Sequence, residues 1–245
     1  MFKLIIILRN ILALSFVIIG VLITTITCYI YSFFCTRNQM IVLISYFFLI
    51  IRKTTYPIVG ITQEIRGLDN IPTGACIFAS KHQSALETSF FFNAFKKYTV
   101  YAFKKEINDV PTWGRISKKF GGVAIDRQKG AEILNDFIKS AKEQLEQGYT
   151  IVVFPEGTRV EVGKEIKFKK GISKLYNEAK NFPVIPVALN TGLVLPKKSF
   201  LIYPGKIIIE FLPAMPSKMP EEDFLQSLQE IINKKTNELI TEVSK

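Results

Sequence analysis

An α/β fold, with a mostly parallel sheet covered by helices and an N-terminal membrane-helix hairpin before it, is what the sequence predicts. Three observations carry this. An uncharged apolar stretch lies near the N-terminus, apolar runs of strand length recur from residue 57 onward, and helical periodicity fills the intervals between them. The composition changes near Tyr56, which divides the 245 residues into an anchor over 1–56 and one globular domain over 57–245.

Ile11 to Phe34 is an uncharged run of 24 residues. At 1.5 Å per residue it reaches about 36 Å, enough to cross a hydrocarbon core of about 30 Å. A cleaved signal peptide has a shorter apolar region and a small-residue cleavage site, which Cys35-Thr36-Arg37 does not offer. The second run, Met40 to Ile51, is short for a comfortable crossing and ends at Arg52-Lys53. Lys3 and Arg9 precede the first run, Arg52 and Lys53 follow the second, and only Arg37 stands between them. That bias places both ends of a hairpin on the cytoplasmic side of the inner membrane. A pair of helices lying in one leaflet satisfies the same pattern.

In the globular part, residues 59–65, 74–80, 99–103, 150–154, 184–189 and 206–212 read as strands. Helices are expected over 85–97, shortly after Pro111-Thr112-Trp113, over 131–147, from Gly171 to about Lys180, and after Pro220. The helix over 131–147 places Ile133, Leu134, Phe137, Ile138, Ala141 and Leu145 on one stripe, with Gly148 as its stop. The last helix opens with Glu221, Glu222 and Asp223, where carboxylates suit the helix dipole. Gly121-Gly122 to Arg127 reads as a loop.

The net charge of +11 is unevenly placed. Residues 1–56 hold five bases and no acid, and removing those five leaves +6 on the globular part. Such a surplus suits anionic lipid surfaces or phosphorylated substrates. No RNA-binding or helix-turn-helix signature accompanies it, so nucleic acid is not the expected partner. Cys28, Cys35 and Cys76 fit no metal spacing, and neither a metal nor a bound cofactor is implied.

His82 is the only histidine, and Glu87 follows five positions later. A lone imidazole is more often a satisfied core group than a base. Ser84-x-x-Glu87 before Phe90-Phe91-Phe92 also has the form of a capping box, which gives Glu87 a purely structural role. Five helical residues turn through about 500°, so His82 has to precede the helix. A carboxylate reaching back across the helix start then points at the loop carrying His82, and both roles fit one conformation. An imidazole held at one nitrogen by a carboxylate presents the other as a base.

Three polar loops at predicted strand ends carry the chemistry: His82 to Glu87, Gly121 to Arg127, and Phe154 to Arg159. Each alone is an ordinary turn or surface pair; their order is not. The sequence here resembles the glycerolipid acyltransferase family, in particular its bacterial 1-acyl-glycerol-3-phosphate acyltransferases, over roughly residues 60–212. The family's His-x-x-x-x-Asp block is met by His82 with Glu87, one methylene longer. Its second block looks like Gly122 through Ile125 to Arg127. Phe-Pro-Glu-Gly-Thr-Arg is matched letter for letter by Phe154 to Arg159, and the apolar Ile-Pro block looks like Val184-Ile185-Pro186-Val187.

The resemblance implies transfer of a fatty acyl group from a thioester, on coenzyme A or an acyl carrier protein, to the sn-2 hydroxyl of 1-acyl-sn-glycerol-3-phosphate, giving phosphatidic acid. His82 is then the base and Glu87 its orienting acid, with no acyl-enzyme. No Gly-x-Ser-x-Gly elbow suggests a serine route. Arg159 is the expected phosphate ligand, with Arg127, Lys104 and Lys105 as further candidates. Gly157 and Thr158 belong to the same substrate-binding loop, and Glu156 either accepts from the acceptor glycerol or pairs with a neighbouring arginine. Two alternatives stand beside this: an acyltransferase acting on another lysophospholipid or on glycerol-3-phosphate, and a non-catalytic, membrane-tethered binder of anionic lipid.

Overall fold

The computed structural model describes residues 2–91, 98–125 and 132–244. Two long helices come first, α1 (Phe2–Tyr31) and α2 (Arg37–Val59), both long and apolar enough to cross a membrane. Helix α2 is longer than the apolar run predicts. Thr36 starts it with a capping box, its Oγ accepting from the Gln39 backbone N–H while Gln39 accepts from that of Thr36. Gly60 at φ 79° ends it. The extension carries Arg52, Thr55 and Tyr56, polar residues that a hydropathy reading leaves outside.

Seven strands then form one sheet: β1 (Ile61–Arg66), β2 (Ile77–Ser80), β3 (Thr99–Lys104), β4 (Val123–Ile125), β5 (Thr150–Val153), β6 (Val184–Leu189) and β7 (Gly205–Phe211). Their spatial order is β1-β7-β6-β2-β5-β3-β4. All neighbours are parallel except β6 and β7. The mostly parallel sheet expected from the sequence is present, and β1 with β7 runs opposite to the other five. The predicted 121–127 loop contains the three-residue edge strand β4, which among the described residues pairs with β3 alone and is too short to show a period of its own.

The central strands β2, β5 and β6 are buried along their whole length, as continuous Ile, Val, Phe and Ala runs require when both faces are covered. The cover is α3 (Leu86–Phe91), α4 (Pro111–Phe120), α5 (Glu132–Glu146), α6 (Gly171–Glu178) and α7 (Glu221–Val243). Helix α7 buries Phe224, Leu228, Ile232 and Leu239, an apolar stripe of helical period. Residues 92–97, the predicted second half of the helix after His82, lie outside the described residues, as do 126–131. Because β2, β5 and β6 are mutually parallel, the segments leaving Ser80, Val153 and Leu189 emerge on one edge of the sheet.

The domain lies along both long helices and touches each near both ends. Near the start of α1, the Asn10 side chain exchanges hydrogen bonds with the backbone of Ile202, at 2.8 and 2.7 Å. Beyond its end, Arg115 of α4 donates to Ser32 Oγ at 2.8 Å and lies over the Phe33 ring. Arg37, at the start of α2, donates to the carbonyls of Phe120 and Gly121 and covers the Tyr149 ring at 3.5 Å. At the other end Thr55 and Val59 are buried. The outward row Leu4, Leu8, Ile11, Leu12, Ile19, Leu22 and Ile26 remains exposed.

Gly67, at φ 71°, lets β1 turn into the 3₁₀ turn Leu68–Asn70, and a Cβ there would stand 1.9 Å from the Phe211 carbonyl oxygen. Gly67→Ala therefore has to shift the β1–β7 edge besides adopting a left-handed conformation costing about 1–2 kcal/mol. Its melting temperature in detergent should fall by about 4 °C or more. An unchanged value would mean that the turn relaxes freely.

Candidate active site

His82 follows β2 directly and precedes α3, as the sequence requires. Its Nδ1 stands 2.8 Å from Glu87 Oε2. Glu87 is fully buried and receives three further donors: the backbone N–H of Ser84 at 2.8 Å, that of Gln83 at 3.3 Å, and the Thr191 hydroxyl. Ser84 Oγ in turn accepts from the Leu86 N–H at 3.0 Å. The capping and imidazole-holding roles thus occupy one conformation. A carboxylate accepts only, so Nδ1 carries the proton and the lone pair sits on Nε2. The ring stacks on Phe154 with centroids 4.0 Å apart, and its side chain is 18% exposed.

The Phe154–Arg159 loop meets the His82 loop through its backbone and through Glu156. The Val160 N–H donates to the His82 carbonyl at 2.8 Å, and the His82 N–H donates to Glu156 Oε2 at 2.8 Å. Glu156 Oε1 pairs with the Lys81 ammonium at 2.7 Å, both groups being buried. Burial pushes the Glu156 carboxyl up; the Lys81 ammonium and the His82 N–H oppose it. Lys81 also donates to Asn233 of α7 at 2.9 Å, and Asn233 donates to Glu165 at 3.0 Å. The sequence offers Glu156 an arginine or the acceptor glycerol; its partner in the fold is instead Lys81, with the other oxygen taken by the His82 N–H.

Arg159 is exposed and lines a cavity of about 520 Å³, together with Ala85, Leu86 and Ser89 around the start of α3. Gly157, at φ 66°, and Thr158 are exposed at the same turn. Lys104 ends β3 and Lys105 opens the turn after it, on the edge of the sheet where His82 stands. Arg127 lies outside the described residues. A second, almost wholly apolar cavity of about 240 Å³ runs between α1, α2 and α4, lined by Cys28, Ile44, Phe48, Tyr101, Trp113 and Phe120. Val21, Phe48 and Ile51 belong to the walls of both cavities.

A protein-family model described as Acyltransferase matches residues 62–190, which contain all of these loops. The chain belongs to the acyltransferase family. Within that family, it is 39% identical over 161 residues to a 1-acyl-sn-glycerol-3-phosphate acyltransferase of Pseudomonas aeruginosa, covering 66% of this chain and 62% of that one. A protein of the same description from Limnanthes alba is 30% identical over 63% of this chain and 54% of its own length. One from Helicobacter pylori is 26% identical over 73% and 75%. The match thus spans less than two thirds of the first two relatives. The crystal structure of the 1-acyl-sn-glycerophosphate acyltransferase PlsC from Thermotoga maritima superposes with a TM-score of 0.75 at 23% identity, over 96% of this chain and 97% of that one. At that identity the likeness establishes the fold.

Sequence reading did not single out Lys81, Asn233 or Thr191 as members of this acyltransferase-family site. Lys81 had a signal in retrospect, since a lysine directly after a buried strand needs a partner. Thr191 had none, because 104 residues separate it from the carboxylate it serves.

His82→Ala should abolish acyl transfer with little change in melting temperature. Glu87→Gln should cut kcat by on the order of 10³-fold or more, because an amide cannot stabilise the imidazolium and faces donors with a donor. Glu87→Asp should retain more activity than Gln. Steady-state rates with melting curves decide this; a fully active Gln variant would leave Glu87 as a helix cap alone. Glu156→Gln or Lys81→Met should each destabilise by about 3–5 kcal/mol, since each strands a buried partner, while the double variant should regain part of the loss. Strictly additive melting shifts would show that the pair is not coupled.

Proposed function

We propose that this chain transfers a fatty acyl group from an acyl thioester to the free sn-2 hydroxyl of 1-acyl-sn-glycerol-3-phosphate, releasing the thiol and forming phosphatidic acid for phospholipid synthesis. The observation that carries this reading is the His82 imidazole held at Nδ1 by a buried carboxylate, on a loop whose continuation lines the cavity that Arg159 also lines. Nε2 removes the hydroxyl proton as the oxygen attacks the thioester carbonyl. The imidazolium, steadied by Glu87, then gives that proton to the departing sulfur. No nucleophile from the protein is required. The donor rides on coenzyme A or an acyl carrier protein as a substrate, and the chemistry needs no bound cofactor. The apolar cavity between α1, α2 and α4 suits an acyl chain.

Residues 1–56 act as the membrane anchor and 57–245 as the acyltransferase domain, facing the cytoplasm. The names of the relatives agree with a glycerophospholipid acceptor. Contacts to the domain near both ends of α1 and at both ends of α2 favour a pair lying in one leaflet, since a hairpin standing upright across a bilayer would carry one end of each helix away from the domain. The loop tied to Asn10 also exposes Phe200 at 96%, which continues the apolar face of α1.

Purified full-length protein offered acyl-coenzyme A or acyl carrier protein thioesters with a panel of acceptors should consume lysophosphatidate in preference to glycerol-3-phosphate and to zwitterionic lysolipids. Arg159→Ala should raise the acceptor KM by on the order of ten- to a hundredfold with a smaller effect on kcat, the loss of one charge-assisted pair. Preference for another acceptor would replace lysophosphatidate by that lipid. An unchanged acceptor KM would move the phosphate away from Arg159.

A further inference from the structure

Of the described residues lining the 520 Å³ cavity, only Ala85, Leu86, Ser89 and Arg159 fall within the family match over residues 62–190. From outside that match, helix α2 contributes Arg52 to the lining that Arg159 also joins. Arg52 Nη1 is buried and has no hydrogen-bond partner among the described residues. Its guanidinium lies 5.6 Å from the Phe90 ring centroid, a loose contact that supplies Nη1 with no acceptor. A buried donor without an acceptor is costly, and folds seldom keep one unless something else fills the vacancy.

The cavity's composition indicates what fits. Its described lining includes four cationic side chains, Arg52, Arg159, Lys197 and Lys198, and no carboxylate. Lys198 is already paired, at 3.0 Å to Glu161, and is largely exposed. The two arginines are the groups suited to bidentate binding of a phosphate. The same lining includes the apolar Leu14, Val17 and Val21 of α1. Charge and shape therefore suit an amphiphile with a phosphate head and one apolar tail.

We infer that Arg52 binds the acceptor's phosphate, making a two-arginine clamp with Arg159 in which one arm comes from the anchor helix. In the sequence Arg52 counts only as a charge flanking an apolar run. In the fold it makes the two N-terminal helices part of the substrate site. The inference rests on the proposed reading that the acceptor is a phosphomonoester, and it specifies which residues recognise it.

The test uses full-length protein in detergent micelles with 1-oleoyl-lysophosphatidate and, as its phosphate-free counterpart, 1-oleoylglycerol. Equilibrium dissociation constants are measured for wild type, Arg52→Gln and Arg52→Lys, with melting temperatures taken without ligand. Wild type should bind lysophosphatidate at least tenfold more tightly than monooleoylglycerol. Arg52→Gln should lose most of that difference while binding monooleoylglycerol unchanged, and Arg52→Lys should recover part of it. The ligand-free melting temperature of Arg52→Gln should equal or exceed that of wild type, whereas a structural arginine would lower it. If wild type discriminates and Arg52→Gln discriminates equally, the clamp is wrong and the acceptor reading stands. If wild type does not discriminate at all, both fall together.

Discussion

One buried carboxylate organises the sheet edge that carries His82. Glu87 sits at the start of α3 with no solvent contact and collects four donors: His82 Nδ1, two successive backbone N–H groups and the Thr191 hydroxyl. An ionised carboxylate out of water is tolerable only when its oxygens are so satisfied. The requirement runs in both directions. The charge holds the loop, the loop and the segment after β6 hold the charge, and His82 has its tautomer fixed by the same contact. Helix capping and imidazole orientation are two readings of one set of hydrogen bonds.

Behind that lies a second, separately wired pair. Lys81 and Glu156 neutralise each other at the base of the site, and Glu156 spends its other oxygen on the backbone N–H of His82. Two consecutive residues of one loop are thereby fixed from opposite sides, the His82 side chain by Glu87 and the Lys81 ammonium by Glu156 and Asn233. Pre-organisation of this kind matters because a base displaced by about 1 Å loses much of its effect.

How much of this the sequence discloses follows from how local each cause is. The central strands are legible because burial on both faces writes a continuous apolar run, and Thr150–Val153 and Val184–Leu189 stand close to where the run places them. His82, Glu87 and the Phe154–Arg159 turn are legible because each motif lies within six residues. Strand β4 is not, being three residues long and paired with the distant β3. The partners of the buried charges are not either: Asn233 lies 152 residues from Lys81, and nothing in an Asn on an amphipathic helix says that it faces an ammonium. Arg52 shows the limit most plainly. Hydropathy and charge bias assign it to the membrane edge, and only the packing of α2 against the domain turns it toward a cavity.

The long-range pairing has a consequence for how the site comes into being. β1 pairs with β7, β2 lies between β5 and β6, and Lys81 meets its partner on α7. During synthesis α1 and α2 precede the domain, and the loop carrying His82 can close on Glu87 at once, whereas its contacts to Thr191 and Asn233 must wait for more than a hundred further residues. Contacts of such sequence separation form late and slowly. The two apolar helices are thus complete well before the His82 loop has its distant partners, so the long-range part of this site is the last to be assembled.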